Sequence, residues 1–253
     1  MIISLLQRKL IYKPSTCINR TPDDLGLPWE WVEFDTSDSQ RLTGWFITCE
    51  NDRGTLIFCH GNNGNIANRI EVAEIYHHLG FNVLLFDYRG FGRSTGRPNE
   101  KGTYRDADAA WRYVTDERGI PPERIVISGK SLGGPIAAWC ASQHTPAVLI
   151  IESTFTSMHA IGIKLYPWLP VRALLSFSYN TREHIRNVKC PILIVHSSED
   201  QLIPVSHGES LYNSAPGPKE FLMIKGPHNN GYLVTGAEYV RGIENFLNRY
   251  YMK

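Results

Sequence analysis

The chain has 253 residues, 42% hydrophobic and 20% charged, which suits one large globular domain over 1–253 and excludes a fibrous or disordered chain. Its formal net charge is +1 and the basic residues are scattered, so nucleic acid is excluded as an expected partner. Five cysteines (Cys17, Cys49, Cys59, Cys140, Cys190) are odd in number and widely spaced, which argues for reduced thiols in a cytoplasmic compartment and against a disulfide framework or a zinc site.

In chain order, the N-terminal run Met1 to Leu6 is apolar before Gln7, Arg8 and Lys9. It is too short for a signal-peptide core or for a membrane span of about 20 residues. The chain reads as soluble, with an amphipathic foot on a membrane, or the stub of a trimmed anchor, as the alternative. Glu30 to Asp35 and Leu42 to Thr48 predict an antiparallel pair joined by the polar turn Thr36 to Gln40. From residue 55 onward, short β-rich runs alternate with helical patterns. The strands are Thr55 to His60, Asn82 to Tyr88, Arg124 to Ser128, Ala147 to Ser153, Pro191 to Ser197 and Lys219 to Lys225. The helices are Ile66 to Leu79, Gly102 to Arg118, Leu132 to His144, Ser206 to Ser214 and Tyr232 to Tyr251. That alternation predicts an α/β fold with a mostly parallel sheet flanked by helices.

Gly129-Lys130-Ser131-Leu132-Gly133 follows the strand that starts at Arg124 and opens the helix that ends at His144. A serine at the tip of a sharp strand-to-helix turn needs strained backbone angles, and glycines two residues either side leave room for the close approach. Pro135 falls in the first helical turn, where proline is tolerated. Gly-Lys-Ser also ends a phosphate-binding P-loop, but that motif requires glycine where Arg124 stands. Ser131 is therefore the candidate nucleophile.

A serine hydroxyl needs a base, normally a histidine oriented by a carboxylate. In open parallel sheets, working groups sit in loops after the strands. Asp200 follows the strand at Pro191, and His228 follows the strand at Lys219. The order Ser131, Asp200, His228 suits this chemistry. Glu152 is the first reserve for the acid and Glu199 the second; His60 also ends a strand, but precedes the serine. The oxyanion needs two amide donors. Leu132 supplies one, and the glycine-rich turn after the Thr55 strand supplies the other through Asn62, with Asn63 as the alternative and Asn65 as a helix cap.

Asp87-Tyr-Arg-Gly-Phe-Gly-Arg-Ser94 resembles a dinucleotide loop, yet Thr95 stands where the third glycine belongs. It reads as a structural loop with Asp87 and Arg89 ion-paired. The proline-punctuated, aromatic stretch 154–184 breaks the alternation and predicts a small helical cap, with ordinary packing on the sheet as the alternative. Its Tyr166, Trp168, Leu169 and Phe177 are the candidate substrate pocket.

Six ordered motifs, His60-Gly-Asn-Asn-Gly-Asn, the Asp87 loop, Gly129-Lys-Ser-Leu-Gly-Gly, Glu152-Ser-Thr-Phe-Thr-Ser, the Asp200 loop with Pro204, and His228-Asn229, resemble the α/β-hydrolase superfamily over roughly residues 30 to 250, in particular its Bem46-like and ABHD13-like branch. The resemblance implies an eight-stranded sheet with helices on both faces, a Ser-His-Asp triad, no cofactor and no metal, and a small-molecule ester or thioester substrate. Ser197 departs from the family pattern, standing where a glycine is usual. An amidase or peptidase of the same fold, or a non-catalytic relative that binds a ligand or partner, are the competing functions.

Overall fold

A computed structural model describes residues 2–251 of the chain. They fall into two compact units, the first ending at Ile127 and the second starting at Ser128. The first unit runs α1 (Ile2–Ile11), β1 (Lys13–Pro14), β2 (Trp29–Asp35), β3 (Arg41–Ile47), β4 (Gly54–Cys59), β5 (Asn63–Gly64), α2 (Ile70–His78), β6 (Phe81–Phe86) and α3 (Glu100–Arg112), and the boundary lies inside β7 (Ile125–Lys130). Strands β4, β6, β3 and β2 are hydrogen-bonded in that order. β4 and β6 are parallel, whereas β3 is antiparallel to both β6 and β2. β4 and β6 are buried at every position, as expected of near-continuous apolar runs covered on both faces. β2 alternates buried and exposed residues along its second half and ends the order.

The second unit continues with α4 (Gly133–Gln143), β8 (Val148–Glu152), α5 (Met158–Leu165), α6 (Val171–Leu174), α7 (Thr181–Ile185), β9 (Ile192–Ser197), α8 (Val205–Ser214), β10 (Lys219–Ile224), α9 (Gly231–Thr235) and α10 (Ala237–Tyr250). Its strands are ordered β10, β9, β8, β7, with β10 and β8 both parallel to β9. β8 and β9 are wholly buried. Residues 154–184 carry three short helices. The stretch is closed at its base by the Met158 amide on the Ser178 carbonyl (2.8 Å) and the Arg182 amide on the Thr156 carbonyl (3.0 Å).

Three differences from the sequence-based expectation have local causes. The helix expected over Tyr232 to Tyr251 breaks at Gly236, whose positive φ of 57° ends α9 and starts α10. The helix expected from Ile66 opens with a 3₁₀ turn, Ile66–Arg69, because the Asn65 side chain accepts the Ala67 amide (2.9 Å) and sets the turn. The N-terminal stretch folds as α1, and β1 pairs in parallel with β5, a contact too short to leave a periodic signal. Among the described residues no helix is long and apolar enough to cross a membrane.

The loop after β6 also corrects an expectation. Arg89 is ion-paired, donating to Asp38 (2.8 and 2.9 Å) and to Asp106 (2.8 Å). Among the described contacts none joins Asp87 to Arg89. The Asp87 Oδ1 accepts the Ile66 amide (3.0 Å) and lies 3.5 Å from His60 Nε2, and both side chains are fully buried. Burial pushes the Asp87 carboxyl up to about 8 and the His60 imidazole down to about 3. The pair is therefore a neutral acid beside a neutral imidazole.

Folded Asp87 keeps its proton until about pH 8, whereas an unfolded aspartate loses it near pH ~4. Stability consequently falls as pH rises between those values, by about 1.4 kcal/mol per pH unit. His60 acts in the opposite direction, because the unfolded imidazole protonates near pH ~6.5 while the folded one resists down to about 3. The two offset each other below about 6.5, which leaves the Asp87 effect visible between about 6.5 and 8. Asp87→Asn should flatten the stability profile in that window, measured by urea unfolding; a variant with the wild-type slope contradicts the assignment.

Candidate active site

β7 carries the chain to Ser131, whose φ of 54° lies in the region that side chains disfavour. Three hydrogen bonds hold it there. The Ser131 amide donates to the Glu152 carbonyl at the end of β8 (2.9 Å), and the Ser131 carbonyl accepts the Thr154 hydroxyl (2.6 Å) and the Gly134 amide (3.0 Å). Gly129 is required because a Cβ there would lie 2.3 Å from the Gly133 carbonyl oxygen and 2.6 Å from the Ala137 Cβ. α4 then leaves the turn with its N-terminal amides beside the serine, a favourable place for negative charge.

His228 sits between β10 and α9, with Nε2 3.0 Å from Ser131 Oγ and Nδ1 2.7 Å from Asp200 Oδ2. An ionised carboxylate can only accept, so Nδ1 carries the proton and Nε2 is left to accept from the serine hydroxyl. Asp200, in the loop after β9, uses its other oxygen to accept the Leu202 (2.9 Å) and Ile203 (2.8 Å) amides. Burial pushes this carboxyl up, but the hydrogen bond and charge of His228, with the Ile203 amide, outweigh it and hold Asp200 below its ordinary value. Asp200 therefore stays ionised throughout the neutral range.

The acid loop and the histidine loop are laced together. The Gly226 amide donates to Glu199 (2.8 Å), and Ser197 Oγ donates to the Gly226 carbonyl while accepting the Glu199 amide (3.1 Å). The serine that departs from the family pattern thus ties the two loops. Glu199 spends its carboxylate on this tie. Glu152 faces Lys130 (2.8 Å) and the Tyr239 hydroxyl (2.7 Å). The structure brings Ser131, His228 and Asp200 together, and no hydrogen bond joins either glutamate to His228 among those described.

Other candidates stand elsewhere. Asn62 is held through its carbonyl, which accepts the Lys13 amide (2.9 Å), and its Nδ2, which donates to the Ile11 carbonyl (2.8 Å); Asn63 lies in β5. Leu132 is buried at the head of α4. Phe177 is buried, whereas Tyr166 and Leu169 are each 45% exposed and Trp168 is 74% exposed. Trp168 meets Tyr166 edge-on with ring centroids 5.9 Å apart. Tyr166 to Leu169 form a turn between α5 and α6, closed by the Leu169 amide on the Tyr166 carbonyl (3.0 Å). All five cysteines are thiols, and burial pushes Cys59 and Cys190 up to about 12, far from nucleophilic. Among the described residues no cluster of three or more His, Cys, Asp or Glu could hold a metal.

Sequence reasoning passed over Lys130, Thr154 and Tyr239. Lys130 filled a variable place in the serine motif, and the other two carry no periodic signal. Gly129→Ala should lower stability by about 1–3 kcal/mol through overpacking of the elbow, measured by urea unfolding; wild-type stability contradicts the close approach.

The fold and the geometry agree with what the chain resembles. A family model described as the alpha/beta hydrolase fold matches residues 54–170. The alpha/beta hydrolase domain-containing protein WAV2 of Arabidopsis thaliana is 32% identical, with 98% of this chain and 90% of that protein aligned. The uncharacterized protein Rv2307c of Mycobacterium tuberculosis is 37% identical over 98% of this chain and 89% of its own length. A solved structure of the Pyrococcus furiosus esterase Pf2001 superposes with a TM-score of 0.78 at 25% identity, covering 95% of this chain and 98% of that one. The chain belongs to the α/β-hydrolase family.

Proposed function

We propose that the chain is a serine hydrolase of the Bem46-like branch that cleaves carboxylic esters or thioesters, acting as one catalytic domain with residues 154–184 as its cap. The observation that carries this reading is the continuous hydrogen-bonded relay from Asp200 through His228 to Ser131, at 2.7 and 3.0 Å. The esterase named among the similar structures supports the reaction class.

In this reading His228 Nε2 takes the hydroxyl proton as Ser131 Oγ attacks the acyl carbonyl carbon. Asp200, kept ionised, holds the tautomer and balances the imidazolium that forms. The Leu132 amide stabilises the oxyanion. His228 then hands the proton to the departing alcohol or thiol, which leaves an acyl group on Ser131. Water, deprotonated by the same nitrogen, attacks that acyl group; the acid departs and the serine regains its proton. Ser131→Ala should cut turnover of p-nitrophenyl butyrate by about 10⁴-fold or more with the fold intact. Undiminished activity in a steady-state assay contradicts the proposal.

The exposed apolar residues Ile163, Leu165, Tyr166, Trp168 and Leu169 of the cap supply the surface along which an acyl chain would lie. Trp168→Ala should raise KM several-fold for p-nitrophenyl octanoate and leave the acetate ester unchanged. Equal effects on both esters contradict a role in the acyl chain's contact.

A further inference from the structure

Lys130, the residue immediately before the candidate nucleophile, is a nearly buried cation: its side chain is 11% exposed and that of its partner Glu152 is 7% exposed. Burying such a pair returns little net stability, because desolvation of both charges opposes their attraction. Its contacts indicate a different use. The ammonium lies 2.8 Å from Glu152 Oε1, donates to the Asn229 carbonyl at 3.1 Å and rests 4.4 Å above the centre of the Tyr232 ring. Asn229 is the residue after His228, so this one ammonium joins the nucleophile's turn to the base's loop. Glu152 is anchored on its far side by the Tyr239 hydroxyl (2.7 Å), and its backbone carbonyl accepts the Ser131 amide (2.9 Å). The nucleophile is thus tied to Glu152 twice, through its own amide and through its neighbour's side chain.

We infer that Lys130 is a positioning residue: clamped by Glu152, it holds the His228 loop through the Asn229 carbonyl and so sets the separation between His228 Nε2 and Ser131 Oγ. The inference rests on the serine-hydrolase reading above. A displaced base loses proton transfer without loss of substrate contacts, so the effect belongs in kcat and not in KM. The competing role is fold stability alone, which predicts a lower melting temperature and normal turnover in whatever protein folds.

The test compares wild type, Ser131→Ala, Lys130→Met, Lys130→Arg and the double variant Lys130→Met/Glu152→Leu in thermal unfolding and p-nitrophenyl butyrate kinetics. The double variant removes both charges together, so no uncompensated carboxylate is left buried. It should fold and show kcat reduced about 10- to 100-fold with KM within about twofold of wild type. Lys130→Arg, which keeps a cationic donor, should recover most of kcat. A folded double variant with wild-type kcat overturns the inference, and so does failure of both Met-containing variants to fold, since the pair would then serve stability. If wild type fails to turn over the ester, or Ser131→Ala remains active, the hydrolase reading itself fails, whatever the Lys130 variants do.

Discussion

Ser131 holds a backbone angle, φ 54°, that costs a residue with a side chain about 1–3 kcal/mol, and the surrounding strand ends exist in a form that keeps it there. The Glu152 carbonyl, the Thr154 hydroxyl and the Gly134 amide each take one of its backbone groups. Gly129 gives up a side chain so that the turn can close against Gly133 and Ala137. These commitments put the hydroxyl within 3.0 Å of His228 Nε2. Without that angle Oγ would point elsewhere, out of reach of His228.

Several of the buried polar groups behind the serine are paired before chemistry begins. Both oxygens of Asp200 are occupied, one by two amides and the other by His228. That arrangement keeps the carboxylate ionised against the push of burial. Glu199, Ser197 and Gly226 bind the Asp200 loop to the His228 loop. The geometry of the three side chains is therefore set in advance. In the first unit burial is resolved differently, by neutralisation: Asp87 keeps its proton and His60 gives its up.

Much of this was legible in the sequence because strands and their following loops leave strong local signals. Apolar runs predicted β4, β6, β7, β8, β9 and β10 to within about two residues, and glycine spacing marked the elbow. Chain order alone pointed to Asp200 and His228. What stayed hidden depends on contacts between residues far apart in the chain. Lys130 reaches Asn229 and Tyr239 reaches Glu152, pairings that no local pattern encodes. Asp87 misled for the same reason, since its partner His60 follows a different strand, β4, while Arg89, two residues away, looked the closer match. The aromatic residues of 154–184 were visible as a composition, but the exposure of Tyr166 and Trp168 depends on the path of the turn between α5 and α6.

Activation of Ser131 at the end of a prepared relay is tested most directly by peptide mapping with mass spectrometry after exposure to a fluorophosphonate probe. One stoichiometric phosphonyl adduct is expected, on Ser131, and it should be lost when the protein is unfolded before labelling. An absent adduct, or one on another residue, would contradict the activation of Ser131.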